Sequence, residues 1–267
     1  MWKWEAKGKP KAVIVIIHSA YENHLRYAWQ IEQWRTADFH VIMGDLPGHG
    51  KGAEMGQPHA EAFKEYEKSL KYSIRAALEH SLPVFIAAHG LGATIAMNFL
   101  SKSSHPIAGA ILSSPWLRLI KTPSKLPAAL SGLHKLAPGV NIDHNLHIED
   151  LTRNPEVIEQ EKEDPYYNTH VTAGWYHEMQ NYMKQAVLGV GKFPDIPLFL
   201  HIGEADQVAD KEVSKRWIRQ QDLTEFSYKE WKQCRHDIFQ EPEREDAFVS
   251  SHLFLQNVMR SLGYVVT

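Results

Sequence analysis

Short, mainly apolar runs recur along the first 116 residues, separated by polar or helix-patterned sequence. The runs lie at residues 13–17, 40–43, 82–87 and 108–115. A short run that is apolar at every position predicts a strand buried on both faces of a sheet. Strands that alternate with helices predict a parallel sheet with crossover helices, and therefore an α/β fold.

Helical periodicity is clearest between the second and third of these runs. One stripe of residues 60–80 carries Phe63, Tyr66, Leu70, Ile74 and Ala77, so this segment is predicted to be an amphipathic helix. Near the other end of the chain, strands are predicted at 196–203 and 226–229, and helices at 211–221 and 247–262.

The pattern changes in the middle of the chain. From Trp116 to about Asp195 there are prolines, many histidines and amphipathic pieces, but no convincing strand. We therefore expect residues 1–116 and 196–267 to form one α/β core, with residues 117–195 as a helical insertion.

Composition narrows the function classes. A formal net charge of -3, without a basic stripe, argues against nucleic-acid binding. Cys234 is the single cysteine, which excludes an internal disulfide framework and predicts a cytoplasmic protein. No stretch approaches the roughly 20 apolar residues of a transmembrane helix. Peripheral contact with a lipid surface stays open, and the sequence does not fix the oligomeric state.

The hexapeptide A-H-G-L-G-A at residues 88–93 follows a predicted strand and opens a helix-compatible stretch. Strand, tight turn and helix form the context of the G-x-S-x-G nucleophile elbow. Gly90 stands at the position of the serine, and Ala88 stands at the position of the first glycine. The pattern therefore indicates an esterase scaffold whose nucleophile is missing.

Candidates for a catalytic acid and base follow in the order that is typical of such scaffolds. Asp206 comes just after the strand predicted at 196–203, and His236 lies between the last strand and the last helix. Because functional groups gather at the carboxyl ends of parallel strands, we expect Gly90, Asp206 and His236 to share one cleft.

Four further motifs carry a family resemblance: H-S-A-Y-E-N-H-L-R-Y at 18–27, D-L-P-G-H-G at 45–50, L-S-S-P at 112–115 and H-D-I-F-Q-E at 236–241. With the elbow, they resemble the motifs of the α/β-hydrolases, in the branch of the bacterial lysophospholipases and monoacylglycerol lipases. The resemblance covers nearly the whole chain.

This resemblance implies an α/β-hydrolase fold with helices on both faces of the sheet, and it makes residues 117–195 a cap over an acyl-chain tunnel. It implies a lipid-like or small apolar ester as ligand, with no cofactor and no metal. The backbone N–H groups of Ala20 and Leu91 would stabilise the oxyanion.

The chain departs from the family pattern at Gly90, at Ser19 and Tyr21, which replace two glycines of the oxyanion loop, and at Leu25. Removal of the nucleophile of such a triad lowers turnover about a millionfold. We therefore expect impaired ester hydrolysis, and as the alternative a catalytically silent relative that binds a lipid or small apolar ligand. Two altered sites favour natural loss of catalysis over one engineered serine-to-glycine substitution.

Other chemistries are weaker alternatives. Ser19 is considered as a relocated nucleophile and His89 as a substitute nucleophile, whereas Cys234 is interpreted as a buried inert thiol. Four histidines are scattered through the insertion without the spacing of a metal motif: His134, His144, His147 and His177.

Overall fold

A seven-stranded sheet forms the centre of the part of the chain that the structure, a computed structural model, describes. In spatial order its strands are Trp2–Trp4 (β1), Phe39–Met43 (β3), Ala12–Ile17 (β2), Val84–His89 (β4), Gly109–Ser113 (β5), Leu198–Gly203 (β8) and Phe226–Trp231 (β9). Strand β1 pairs antiparallel with β3, and every other neighbouring pair is parallel. The predicted mostly parallel sheet is therefore confirmed.

The structure describes residues 1–102, 104–123, 137–189 and 191–264. His134 lies outside the described residues, as does part of the predicted insertion.

Apolar β-branched residues form the central strands because both faces of the sheet are covered. All six residues of β2 are buried, and Val15 lies between Ile42 of β3 and Ile86 of β4. Alternate side chains of β2 enter two different hydrophobic clusters: Val13 and Val15 enter one, and Ile14 enters the other. This two-sided burial is what the uninterrupted apolar run predicts.

Helices pack on both faces. The described α-helices are Ala28–Thr36 (α1), Phe63–Leu78 (α2), Gly90–Lys102 (α3), Ile148–Leu151 (α4), Pro155–Lys162 (α5), Ala173–Leu188 (α6), Lys211–Arg219 (α7) and Arg244–Ser261 (α8). Side chains of α2, α3, α6 and α7 join the cluster that contains Val13 and Val15. Side chains of α1 and α8 join the cluster that contains Ile14.

The expectation that the insertion holds no strand is wrong. Asn141–Asp143 (β6) and His170–Thr172 (β7) form a two-stranded antiparallel sheet. Each strand has only three residues, too few to produce a recognisable alternation of apolar and polar positions. Backbone hydrogen bonds of His59 with His170 (2.8 Å) and Thr172 (2.9 Å) join this small sheet to the loop before α2.

The strand β1 is also absent from the sequence-based prediction. Its three residues alternate Trp-Lys-Trp, and it adds to the sheet through Trp2, which pairs with Met43. A strand this short is defined by its partner rather than by its own pattern.

No helix among the described residues combines the length and the hydropathy that a membrane crossing requires.

Candidate active site

The turn between β4 and α3 places Gly90 at the first position of the helix, with φ of +53°. This is the left-handed region, which glycine adopts without the steric cost that other residues carry. Two residues later, Gly92 allows the helix to approach β2 closely, because a Cβ there would lie 2.3 Å from the carbonyl oxygen of His18. The backbone thus forms a nucleophile elbow at which Gly90 offers no nucleophilic atom.

Asp206 and His236 are brought together by the ends of β8 and β9. His236 Nδ1 lies 2.9 Å from Asp206 Oδ2, and both side chains are buried. The other carboxylate oxygen of Asp206 accepts the backbone N–H groups of Val208 at 2.8 Å and Ala209 at 3.0 Å. These two bonds fix the carboxylate, which in turn fixes the imidazole plane.

The second ring nitrogen of His236 is occupied by Trp116. The indole Nε1–H of Trp116 donates to His236 Nε2 across 2.9 Å, and Trp116 is buried. An indole N–H can only donate, so Nε2 is the acceptor and the ring proton lies on Nδ1, facing Asp206. Burial by itself would lower the pKa of His236, but the charge and hydrogen bond of Asp206 raise that pKa above its ordinary value.

Ser19 lies beside the elbow, where its hydroxyl meets the helix that Gly90 begins. The backbone N–H of Leu91 donates to Ser19 Oγ at 3.0 Å. A Cβ at position 90 would lie 2.1 Å from Ser19 Oγ and 3.2 Å from Trp116 Nε1. Gly90, Ser19, Trp116 and His236 therefore form one cluster. Ala20, the residue of the second expected oxyanion donor, is buried next to Ser19.

Aromatic side chains fill the space next to this cluster. Tyr21 is buried with φ of +70°, a conformation that bulky residues rarely adopt. Its hydroxyl lies 2.7 Å from Nδ1 of His144, and burial lowers the pKa of His144 to about 4. Because His144 Nε2 must donate to the carbonyl of Lys121 at 3.2 Å, Nδ1 accepts the proton of Tyr21. Trp116 meets the His144 ring edge-on, with the ring centroids 5.7 Å apart.

A buried charge network lies on the other side of His236. Asp237 Oδ2 accepts from Arg26 Nε at 3.1 Å and Nη2 at 3.0 Å, and Glu22 Oε1 lies 3.5 Å from Arg26 Nε. His89 Nε2 lies 3.8 Å from Glu22 and 3.9 Å from Asp237. This position directs His89 toward the carboxylates, and burial lowers the pKa of its imidazole, which argues for a packing role rather than for a role as nucleophile.

The same network contains a geometric candidate for a metal site. One ligand atom each of Glu22, His89 and Asp237 lies within 4.8 Å of the others. Arg26 already places a positive charge between the two carboxylates, and the charges of His89 and Arg26 hold the pKa of Asp237 below its ordinary value. A divalent cation would have to displace that guanidinium, so the residues fit a charge network better than a metal centre.

Cys234 is buried two residues before His236. Burial, together with the nearby acidic groups, raises the pKa of its thiol to about 12. Its sulfur lies 3.4 Å from a carboxylate oxygen of Glu243. A thiol with such a pKa stays protonated at neutral pH and is a poor nucleophile.

Sequence reasoning anticipated the positions of Gly90, Asp206 and His236 but missed Trp116 and the pairing of Tyr21 with His144. Trp116 directly follows the L-S-S-P motif at the end of β5, and this place at a strand end is the one signal that pointed to it. The contact of Tyr21 with a histidine 123 positions away carries no local signal.

Comparison with known proteins identifies the family of the chain. The family described as "Serine aminopeptidase, S33" matches residues 8–243. A Bacillus subtilis (strain 168) protein named Phospholipase YtpA is 39% identical over 256 residues, which are 95% of this chain and 98% of that protein. The Monoacylglycerol lipase of Mycolicibacterium smegmatis (strain ATCC 700084 / mc(2)155) is 24% identical, over 94% of this chain and 92% of the relative.

A solved structure supports the same assignment. The monoacylglycerol lipase of Paleococcus ferrophilus superposes with a TM-score of 0.84 at 26% identity, over 96% of this chain and 98% of that one. Family, relatives and fold agree with the motifs. The chain therefore belongs to the serine aminopeptidase S33 family of α/β-hydrolases, in its lysophospholipase and monoacylglycerol lipase-like branch.

Proposed function

We propose that this chain is a catalytically silent member of the lipid-ester hydrolases, which holds a lipid-like or small apolar ligand without cleaving it. The observation that carries the proposal is Gly90, at the elbow where the reaction needs a side-chain oxygen. Ester hydrolysis by this fold begins with attack of that oxygen on the carbonyl carbon.

The remaining groups are proposed to be the retained parts of the reaction that a serine at position 90 would perform. His236 would take the hydroxyl proton and return it to the leaving alcohol, while Asp206 would hold the imidazole. The N–H groups of Ala20 and Leu91 would bind the developing oxyanion. In this chain Leu91 instead donates to Ser19, so the site lacks more than its nucleophile.

The second candidate function is an impaired but active ester hydrolase, and one observation favours it. His236 keeps its 2.9 Å contact with Asp206, so a base remains that could activate a water molecule. Against it, the nitrogen that would take the proton accepts the indole N–H of Trp116. We therefore favour the catalytically silent function over the impaired hydrolase.

Two kinds of support favour an apolar ligand. The relatives include a phospholipase and monoacylglycerol lipases, whose names describe lipid substrates. Large aromatic rings surround the Tyr21–His144 pair: Trp116, and Trp175 of α6, lie against Tyr21, and Tyr176 of α6 lies against His144. We propose that residues 117–195 act as a cap that supplies part of this wall.

We also place the chain in the cytoplasm, because Cys234 is its single cysteine.

Hydrolysis by the wild-type chain tests the silent assignment. p-Nitrophenyl butyrate, monooleoylglycerol and lysophosphatidylcholine are offered to the wild type and to His236→Ala, with circular dichroism as the check on folding. We expect the two proteins to release product at the same rate as buffer. Turnover by the wild type that His236→Ala abolishes would establish an active hydrolase and overturn the proposal.

Ligand binding is tested separately by thermal unfolding. Monooleoylglycerol is titrated below its aggregation limit, with glycerol as the control that lacks the acyl chain. A ligand at 100 times its Kd stabilises the native state by about 2.7 kcal/mol. We expect a saturable rise in Tm with monooleoylglycerol and none with glycerol. Equal melting curves in all samples would contradict the proposal that the chain binds an apolar ligand.

A further inference from the structure

We infer that Ser19 and Trp116 together block the catalytic groups that remain. The Ser19 hydroxyl accepts the N–H of Leu91 that would bind an oxyanion, and the Trp116 indole donates to His236 in place of the nucleophile's hydroxyl. This inference rests on the proposed function and predicts that a serine at position 90 does not by itself restore hydrolysis. It assigns a role to two residues outside the retained acid and base.

The steric part of the inference follows from the position of Ser19. A Cβ at position 90 would lie 2.1 Å from Ser19 Oγ and 2.7 Å from Ser19 Cβ, well inside the roughly 3.5–4.0 Å of carbon–carbon contact. A change of rotamer would move Oγ but not Cβ. Any side chain at position 90 therefore requires either a smaller residue at position 19 or a shift of the backbone.

The polar part follows from hydrogen bonds that already exist. Leu91 N–H is bonded to Ser19 Oγ at 3.0 Å, so a substrate oxyanion would have to displace a hydroxyl that belongs to the chain. Trp116 Nε1 is bonded to His236 Nε2 at 2.9 Å, so a serine proton would have to displace the indole. Both donor–acceptor pairs that the reaction needs are satisfied inside the protein.

The indole of Trp116 is held in place by its own backbone. Trp116 N–H donates to the carbonyl of Gly90 at 3.2 Å, and Thr94 Oγ1 donates to the carbonyl of Trp116 at 2.8 Å. The first bond ties the segment after β5 directly to the elbow. The position of the indole is therefore part of the fold of the elbow and not the rotamer of an exposed side chain.

A double-mutant cycle measures the steric contact without any need for activity. Gly90→Ala is made in the wild type and in Ser19→Gly, and urea unfolding is followed for all four proteins. The left-handed φ of position 90 penalises alanine in both backgrounds, by about tenfold in the unfolding equilibrium constant. We expect at least a further tenfold penalty in the wild type alone. The same penalty in both backgrounds would overturn the steric part.

Gly56→Ala is the matched control for this cycle. Gly56 also has a positive φ, of +78°, but a Cβ there would have no heavy atom within 4 Å. Its substitution therefore carries the conformational penalty without a clash, and we expect it to be independent of Ser19→Gly. A dependence of similar size would mean that Ser19→Gly changes global stability and does not report a contact.

Restoration of reactivity tests the polar part. Gly90→Ser, Gly90→Ser/Ser19→Gly and the triple variant with Trp116→Phe are exposed to a fluorophosphonate, and near-ultraviolet circular dichroism confirms that each is folded. We expect no labelling of Gly90→Ser, slow labelling of the double variant and labelling at least tenfold faster in the triple variant. Equal labelling of Gly90→Ser and the double variant would contradict the inference, as would an unlabelled, folded triple variant. Neither outcome depends on the wild-type turnover that tests the proposed function.

Discussion

The indole N–H of Trp116 donates to Nε2 of His236 across 2.9 Å, on the side of the imidazole where the hydroxyl of a catalytic serine would lie. The opposite nitrogen faces Asp206 at 2.9 Å. Both ring nitrogens of His236 thus have hydrogen-bond partners within the protein, and the contact between Asp206 and His236 is retained. This arrangement stabilises the site and leaves its base without a proton to take.

Asp206→Asn is expected to lower the pKa of His236. Burial by itself would lower that pKa, and the charge and hydrogen bond of Asp206 raise it above its ordinary value, so their loss leaves burial opposed only by the charges of Asp237 and Glu22. The Hε1 resonance of His236, followed by NMR from pH 4 to pH 9, measures the shift. An unchanged or higher midpoint would show that Asp206 does not control the charge of the imidazole.

The same substitution is expected to change how stability depends on pH. In the wild type the pKa of His236 is raised in the folded state, so the protonated imidazole stabilises the fold. This contribution is fully present below about pH 6.5 and is lost as the pH rises through the folded pKa. In Asp206→Asn the folded pKa is lower than in the wild type, so the imidazole contributes less stability as the pH falls. The difference in Tm between the two proteins should therefore be largest at acidic pH.

Trp116→Phe is expected to raise the pKa of His236. The indole N–H bonds only the neutral form of Nε2, because the protonated ring carries a hydrogen there, so its removal favours the imidazolium. The same NMR titration provides the measurement. Trp34→Phe, a change to another fully buried tryptophan of the core, is the control and should leave the midpoint where it is.

Tyr21→Phe is expected to destabilise the fold by about 1–3 kcal/mol, because it leaves Nδ1 of buried His144 without its donor. Urea unfolding measures the loss. Tyr72→Phe, at a tyrosine that is 54% exposed, is the control and should change stability by less than about 0.5 kcal/mol. Equal effects of the two substitutions would exclude a structural role for the Tyr21–His144 bond.

Arg26→Met is expected to cost about 3–5 kcal/mol, because it strands the buried carboxylates of Glu22 and Asp237 without their cation. The loss should shrink as the pH falls, because protonation of Asp237 removes one of the charges that Arg26 compensates. Lys68→Met removes a cation from an exposed pair with Glu65, and it should cost less than about 1 kcal/mol. Chemical unfolding at pH 5 and pH 7 distinguishes the two cases.

Much of the fold could be predicted because its central strands are buried on both faces. β2 is uniformly apolar, β4 is apolar up to its last residue, His89, and the helix observed at Phe63–Leu78 lies inside the predicted 60–80 segment. The described strands that were missed, β1, β6 and β7, have three residues each. Elements of this length depend on partners that are distant in the sequence, and local periodicity does not contain that information.

The candidate site was partly predictable for a related reason. Gly90, Asp206 and His236 each follow a strand, and parallel strands bring their carboxyl ends to one edge of the sheet. The replacement of two glycines by Ser19 and Tyr21 indicated that the oxyanion loop departs from the family pattern. That the hydroxyl of Ser19 accepts from Leu91, and that Trp116 bonds His236, depends on side-chain directions that no local pattern fixes.

The most direct test of the missing nucleophile is the intact mass of the wild-type chain after prolonged exposure to a fluorophosphonate, with peptide mapping of any adduct. We predict an unchanged mass, because Gly90 offers no nucleophile and the Ser19 hydroxyl accepts from Leu91 instead of donating to His236. A stoichiometric adduct that requires His236, on Ser19 or on any other residue, would contradict this and identify a working nucleophile.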